Sequence, residues 1–428
     1  MAMVTGLFGR KKDFMRIPVA QLRPGMHISL AERWWDHPFL LSEFTLEKES
    51  QIGVIAGLDM THVLWSPKAS RCGPREALSS APLAPTDPEE VAVTLSQREV
   101  RRAASRRVND LLHQADHEHM HASSTLREAF SLAKLAPRQA VQKSIAVVAE
   151  AAALFASEAD VSIVLLSDRV SGIRLHTHAI NVMLLALLSG RSQKWDEKAL
   201  FELGMGALFH DIGLLRIPDG IRLKRDAECT LAERAIAREH PGLGIKMLHD
   251  VPAFPPAAQA VVLRHHEYWD GSGYPSGLAG EQIPAAARHT ALADRYDELC
   301  HPLNLSGALS PTAALARMYT AESPHFDPEL LTRFIKVLGI YPPGTLVELS
   351  NGAIGLVTGI NRDHSMRPLV TVWQDGIRWE DAPTIDLTIE PEVSITRTLR
   401  ESDLQPEVQD FLSPRSRTAY FYARRDAD

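Results

Sequence analysis

Seven potential metal ligands are set into stretches that otherwise read as the apolar faces of helices. His178 lies in "LHTHAINV", His210 and Asp211 close "ALFHDIG", and His240 stands in "REHPGLG". His265 and His266 are neighbours in "RHHEYWDGSGYP", and Asp294 is in "ALADRYDEL". A single buried imidazole can be satisfied by a backbone carbonyl. Seven such groups on five helical segments need something shared, because an unpaired polar group in a core is costly. A metal centre answers that need. Neutral imidazole nitrogens and carboxylate oxygens suit Fe, Mn, Zn or Ni. Adjacent residues on a helix point roughly 100° apart, so His265 and His266 reach one cluster only if a helix end faces it. The fold must therefore be a mainly helical bundle that gathers these positions.

The rest of the chain fits around that bundle. With 428 residues it is longer than one compact domain usually holds, and two or three are expected. Residues 1–66 read as a small α+β module, with a Pro-Gly turn in "IPVAQLRPGMHISL" and a helix, turn and strand in "TLEKESQIGVIAGLDMTHVLW". Residues 67–90, rich in Pro, Ser and Ala, read as a linker. Residues 91–160 read as a helical connector, 161–340 as the ligand-bearing helical domain, and 341–428 as a small β appendage and tail. The appendage is signalled by the short alternating runs "GTLVELS", "AIGLVTGIN" and "RPLVTVWQD". Helix starts are marked by Asp196 as an N-cap, by the capping-box spacing of Thr230 and Glu233, and by Pro241 in a first turn.

Several functions are excluded. A net charge of −7 argues against bulk nucleic-acid binding. The three cysteines, Cys72, Cys229 and Cys300, have no Cys-x-x-Cys spacing, which fits a reducing cytoplasm rather than a disulfide framework. The apolar run "NVMLLALLSG" is far below the roughly 18 to 20 residues of a membrane span. His113, His117 and His121 fall at i, i+4, i+8, but their polar surroundings read as a solvated helix face. Trp34 and Trp35 read as core of the N-terminal module.

"HDIG" followed by "HHEYWDGSGYP" resembles the HD-GYP subgroup of the HD-domain metal-dependent phosphohydrolases. The resemblance runs from about Ser171 to Gly339 and includes "EHPGLGIKML", "AARHTALAD" and "FDPELL" in the family's order. The N-terminal segment is similar to a domain of unknown function often found before HD-GYP domains in bacterial proteins. The resemblance implies hydrolysis of cyclic di-GMP to pGpG and/or GMP by a metal-activated hydroxide. It implies His178, His210, Asp211, His240, His265, His266 and Asp294 as ligands of two divalent ions, Fe or Mn, with Asp211 and His210 at the centre of the chemistry. Gly273, Tyr274, Pro275, Arg288 and Arg216 are the expected substrate contacts. Regulatory protein partners and a homodimer are compatible with it.

Three positions depart from the family. Leu214 stands where "HDIG" is usually followed by lysine, and "DELCHPLNLSG" lacks the usual Arg-Pro-Tyr. Arg174 replaces a glutamate that supports a third metal in some members, so two metals are expected. The first two losses raise two alternatives: a catalytically impaired cyclic di-GMP receptor, or a phosphohydrolase for another nucleotide.

Overall fold

The computed structural model describes residues 14–30, 43–57, 60–75, 88–157, 160–166, 174–224, 228–302, 307–361, 364–379, 382–413 and 419–425. The chain divides into two compact units, Met1–Arg107 with Asn351–Ala353 and Val108–Ser350 with Ile354–Asp428.

In the first unit, β1 (Met15–Pro18), β2 (His27–Ser29), β3 (Glu43–Thr45) and β4 (His62–Ser66) form an antiparallel sheet in the order β1-β4-β2-β3. Helix α1 (Glu49–Ala56) contributes Ile52 and Ile55 to a core shared with Leu22, Met26, Ile28 and Leu46, all fully buried. Each such side chain is worth roughly 1.5–3 kcal/mol of transfer free energy. Residues 67–75, expected as linker, instead fold back on this module. Arg71 and Arg75 donate backbone N–H bonds to the carbonyls of Gly25 and Gln21 at 2.8 and 2.9 Å, and Cys72 packs on the core. Trp34 and Trp35 lie outside the described residues.

Helix α2 (Pro88–Ala133) contains the division between the units. His113, His117 and His121 are exposed on it, as expected, whereas His119 is buried with its ring 5.3 Å from that of Phe421. The second unit continues with α3 (Pro137–Ala156), β5 (Asp160–Leu166), α4 (Arg174–Ser192), α5 (Glu197–Phe209), α6 (Asp219–Arg222), α7 (Leu231–Ala237), α8 (His240–Leu248) and α9 (Pro256–Arg264). Then come α10 (Ala285–Cys300), α11 (Pro311–Thr320) and α12 (Pro328–Leu338). Residues 179–190 of α4 are buried on every side, which makes it the central helix of the bundle. Helices α5, α10, α3 and α12 and a C-terminal strand pack around it. The expected caps form: Asp196 accepts from the Ala199 N–H at 2.8 Å, and Thr230 and Glu233 make the reciprocal capping box.

The three strands expected near the C-terminus are present as β6 (Leu346–Leu349), β7 (Ile354–Gly359) and β8 (Leu369–Val372), and β9 (Thr384–Asp386) and β10 (Ile395–Thr398) follow them. After α13 (Pro406–Leu412), β11 (Ala419–Arg425) ends the described chain. The sheet is not self-contained. Its order is β10-β6-β7-β5-β11, with β8 on β7 and β9 on β8. Strand β5 pairs antiparallel with β11 along its whole length, from Asp160↔Arg425 to Leu166↔Ala419. The apolar run "VSIVLL" in a stretch expected to be helical is thus a strand whose partner lies at the opposite end of the sequence. No helix among the described residues is long and apolar enough to cross a membrane.

Candidate metal centre

Helix ends deliver most of the ligand set. His210 caps the C-terminus of α5 and Asp211 follows it into a 3-10 turn, Ile212–Arg216. His265 caps the C-terminus of α9, and because that helix stops at Arg264, His266 need not diverge from its neighbour. The two rings stand 4.1 Å apart. His240 opens α8, while His178 and Asp294 project from α4 and α10.

The aspartate at position 211 faces two ways. Its Oδ1 lies 3.2 Å from His240 Nε2 and 3.6 Å from His265 Nε2. Its Oδ2 lies 3.6 Å from His210 Nε2 and 3.9 Å from His178 Nε2. Asp294 Oδ1 closes the second group, 3.1 Å from His178 Nε2 and 3.8 Å from His210 Nε2. The ligand atoms fall into overlapping sets: Asp211, His240, His265 and His266; His178, His210 and Asp211; and His210, His265 and Asp294. All seven residues singled out in the sequence are therefore brought together.

The surroundings prepare the histidines as ligands. His210, His240 and His265 each place Nδ1 on the carbonyl three residues earlier, Ala207, Ala237 and Val262, at 2.6, 2.8 and 3.0 Å. A carbonyl only accepts, so Nδ1 carries the proton and Nε2 is left as a lone pair aimed inward. Among the described residues the buried Nε2 of His210 has no hydrogen-bond partner, and those of His240 and His265 face each other at 3.2 Å. Lone pairs so arranged call for a shared cation, and a divalent ion fits the donor set. Burial pushes His210 down to about 4 and, together with the neighbouring rings of His265 and His240, pushes His266 well below the usual range. Both are thereby kept neutral. For His178 burial acts downward, but Asp294 and Asp297 outweigh it and raise its pKa.

Two glycines make the close approaches possible. A Cβ on Gly213 would stand 1.9 Å from the His240 carbonyl oxygen and 2.6 Å from Gly244 N, so the turn after Asp211 rests directly on the start of α8. A Cβ on Gly273 would meet Tyr268 N at 2.3 Å and the His266 carbonyl at 2.4 Å. Tyr274 donates its N–H to that same carbonyl at 3.0 Å and stacks its ring on His266, centroids 4.7 Å apart. The Gly273–Pro275 turn thus forms a wall against the histidine pair. The other two expected contacts lie differently. Arg216 is exposed and donates to the Lys134 carbonyl at 3.2 Å. Arg288 pairs with Asp327 at 2.7 Å, with its guanidinium 5.4 Å from the Trp269 ring centroid.

Two supporting residues were not anticipated. Asp297 accepts from His178 Nδ1 at 2.8 Å; its position three residues after Asp294, on the same helix face, was the available signal. Glu267, buried after the histidine pair, accepts the N–H groups of Ser276 and Leu278 at 2.8 and 2.9 Å and pairs with Arg264 at 3.1 Å. Nothing in its local sequence separates it from a surface glutamate.

The chain is similar to known proteins over most of its length. Residues 160–330 match the HD domain, 14–144 a domain of unknown function (DUF3391), and 346–407 the KOW domain associated with HD domain. A cyclic di-GMP phosphodiesterase of Pseudomonas aeruginosa is 31% identical over 365 residues, covering 84% of each chain. This chain belongs to the HD-GYP family. The response regulator RpfG of Xanthomonas campestris, also a cyclic di-GMP phosphodiesterase, is 38% identical over 33% of this chain and 37% of its own. A 3'3'-cGAMP-specific phosphodiesterase of Vibrio cholerae is 32% identical over 28% of this chain and 23% of its own. The HD-GYP signature here carries a histidine and aspartate cluster able to hold divalent metal ions.

Proposed function

We propose that this HD-GYP protein is a metal-dependent phosphodiesterase that hydrolyses cyclic di-GMP to pGpG and/or GMP. The observation that carries this is Asp211, whose two oxygens face two separate groups of imidazole nitrogens. In our reading His178, His210, Asp211 and Asp294 would hold one ion and Asp211, His240, His265 and His266 the other, and Fe or Mn would suit this donor set. Such ions, when bound, acidify water and neutralise charge on a phosphoryl group.

The protein's own part is to hold and orient. The Ala207, Ala237 and Val262 carbonyls fix the tautomers of His210, His240 and His265. Asp297 does the same for His178. Gly273, Tyr274 and Pro275 form the wall against which the nucleotide lies. Burial raises the Tyr274 pKa, so its hydroxyl stays protonated and can donate to a phosphate oxygen. Arg288 supports the start of α12 through Asp327, which caps that helix, and Arg216 ties the turn after Asp211 to the end of α2. Phosphate grip therefore rests on the ions and the wall more than on these two arginines.

The test is turnover of cyclic di-GMP by protein purified without oxygen and supplied with Fe(II) or Mn(II), beside Asp211→Ala and with 3'3'-cGAMP as competing substrate. Linear product from cyclic di-GMP, absent in Asp211→Ala, is expected. Preferential cleavage of 3'3'-cGAMP would reassign the substrate, and binding without turnover by metal-loaded protein would make the chain a receptor.

A further inference from the structure

A buried chain of hydrogen bonds leads from β11 to His178 of the candidate metal centre. The Tyr420 N–H of β11 donates to Asn181 Oδ1 at 2.9 Å. Asn181 Nδ2 donates to Asp297 Oδ1 at 2.8 Å, and Asp297 Oδ2 accepts from His178 Nδ1 at 2.8 Å. Asn181 and Asp297 are each 1% exposed. The amide cannot be reversed. Its oxygen faces an N–H, which only donates, and its nitrogen faces a carboxylate, which only accepts. His301 adds a second contact between the same partners. Its Nδ1 lies 2.8 Å from Asp297 Oδ1, and its ring stands 5.7 Å from that of Tyr420.

We propose that Asn181 is a positioning residue that couples the docking of β11 to the orientation of His178, and so to the metal affinity of the centre. Asn181 follows His178 by one helical turn, so the bridge leaves α4 on the face that carries the ligand. Strand β11 lies beyond the stretch matched by the KOW domain and is held by β5 on one side. Tyr420, Phe421 and Tyr422 pack it into the bundle core, and the Asn181 amide gives that docking a polar link to the ligand side of α4. The carboxylate between them orients the imidazole, and loss of such an outer partner weakens metal binding roughly 10- to 100-fold. Coupling between two sites is reciprocal, so metal binding must also hold β11 in place. This inference rests on the metal-centre reading above.

The experiment measures Mn(II) affinity of the full-length protein by the loss of free-ion paramagnetic resonance signal, and hydrogen exchange of the peptide containing 419–425 with and without Mn(II). Wild type should bind Mn(II), and Mn(II) should slow exchange in β11. Asn181→Leu should weaken Mn(II) roughly 10- to 100-fold and lose that metal-induced protection even at saturating ion. Asn181→Asp keeps an acceptor for Tyr420 but no amide donor for Asp297. It should weaken Mn(II) while leaving β11 protected in the absence of metal, which keeps the test open if the leucine variant fails to fold. Equal Mn(II) affinity in wild type and a folded variant would overturn the coupling. Wild type that binds neither Mn(II) nor Fe(II) would overturn the metal-centre reading itself.

Discussion

The floor of the site and its rim are built on opposite principles. On the floor, side chains that would be incompatible in an apolar core are aimed at one another: His240 and His265 nitrogens at 3.2 Å, and two aspartates among four imidazole nitrogens. The Nδ1 atoms of His210, His240 and His265 are tied to carbonyls and that of His178 to Asp297. At the rim most charges are already spent on the protein, whereas Arg238 is exposed with its guanidinium 5.1 Å from the Tyr274 ring centroid. Arg264 pairs with Glu267, Arg288 with Asp327, and Arg295 with Glu322 and Glu298. Leu214, where the family usually carries lysine, adds no charge. The floor is thus prepared for cations, while the rim offers phosphate little beyond Arg238. Such a site would place most of its substrate affinity on the ions themselves.

That contrast can be broken at the floor first. Gly213→Ala should cost more than about 3 kcal/mol, because the new Cβ meets the His240 carbonyl at 1.9 Å and the backbone must move. Thermal unfolding and metal content should fall together; an unchanged melting temperature would show that α8 is not seated on the turn. Glu267→Ala, at the rim, should cost about 2–4 kcal/mol by leaving the Ser276 and Leu278 N–H groups and Arg264 without their acceptor. Because this acts on the wall, KM for cyclic di-GMP should rise while metal content holds.

Acid should loosen the scaffold before it reaches the wall. His289, buried on Ser189 and Trp195, is pushed down to about 4 by burial and by the charge of Arg288. A histidine depressed in the fold contributes fully above its unfolded value near 6.5, and that contribution is lost as pH falls toward 4. The His289 share of the loss should be on the order of 3 kcal/mol, read by denaturant unfolding at pH 7 and 4.5, and His289→Gln should reduce the pH dependence by about that amount while the share of His210 and His266 remains. The smallest expected effect sharpens the rim. Leu214→Lys should lower KM roughly tenfold by adding a charge-assisted contact to phosphate, with metal content unchanged. No change in KM or turnover would mean that the leucine does not face the nucleotide.

The seven residues of the cluster were legible in the sequence because each is a short polar interruption of an apolar pattern, and the family resemblance gave all seven in order. The caps at Asp196 and Thr230 were legible for a similar reason, since one local hydrogen bond defines each. What escaped depends on partners far away in the chain. Strand β5 looks helical until β11 is laid beside it, because a short apolar run has no decisive period. Asn181 is ordinary in α4 without Tyr420, and Glu267 is ordinary without the loop that folds over it. The residues after β4 looked like linker on composition, yet backbone bonds to Gly25 and Gln21 hold them to the N-terminal module.

The central claim is that one aspartate joins two metal sites, and metal stoichiometry tests it most directly. Protein loaded anaerobically with Fe(II) or Mn(II) and freed of excess ion should hold two ions per chain. His178→Ala should keep one, and Asp211→Ala should fall below one, because its carboxylate serves both groups. Two ions retained by Asp211→Ala, or no more than one in the wild type, would contradict the shared centre.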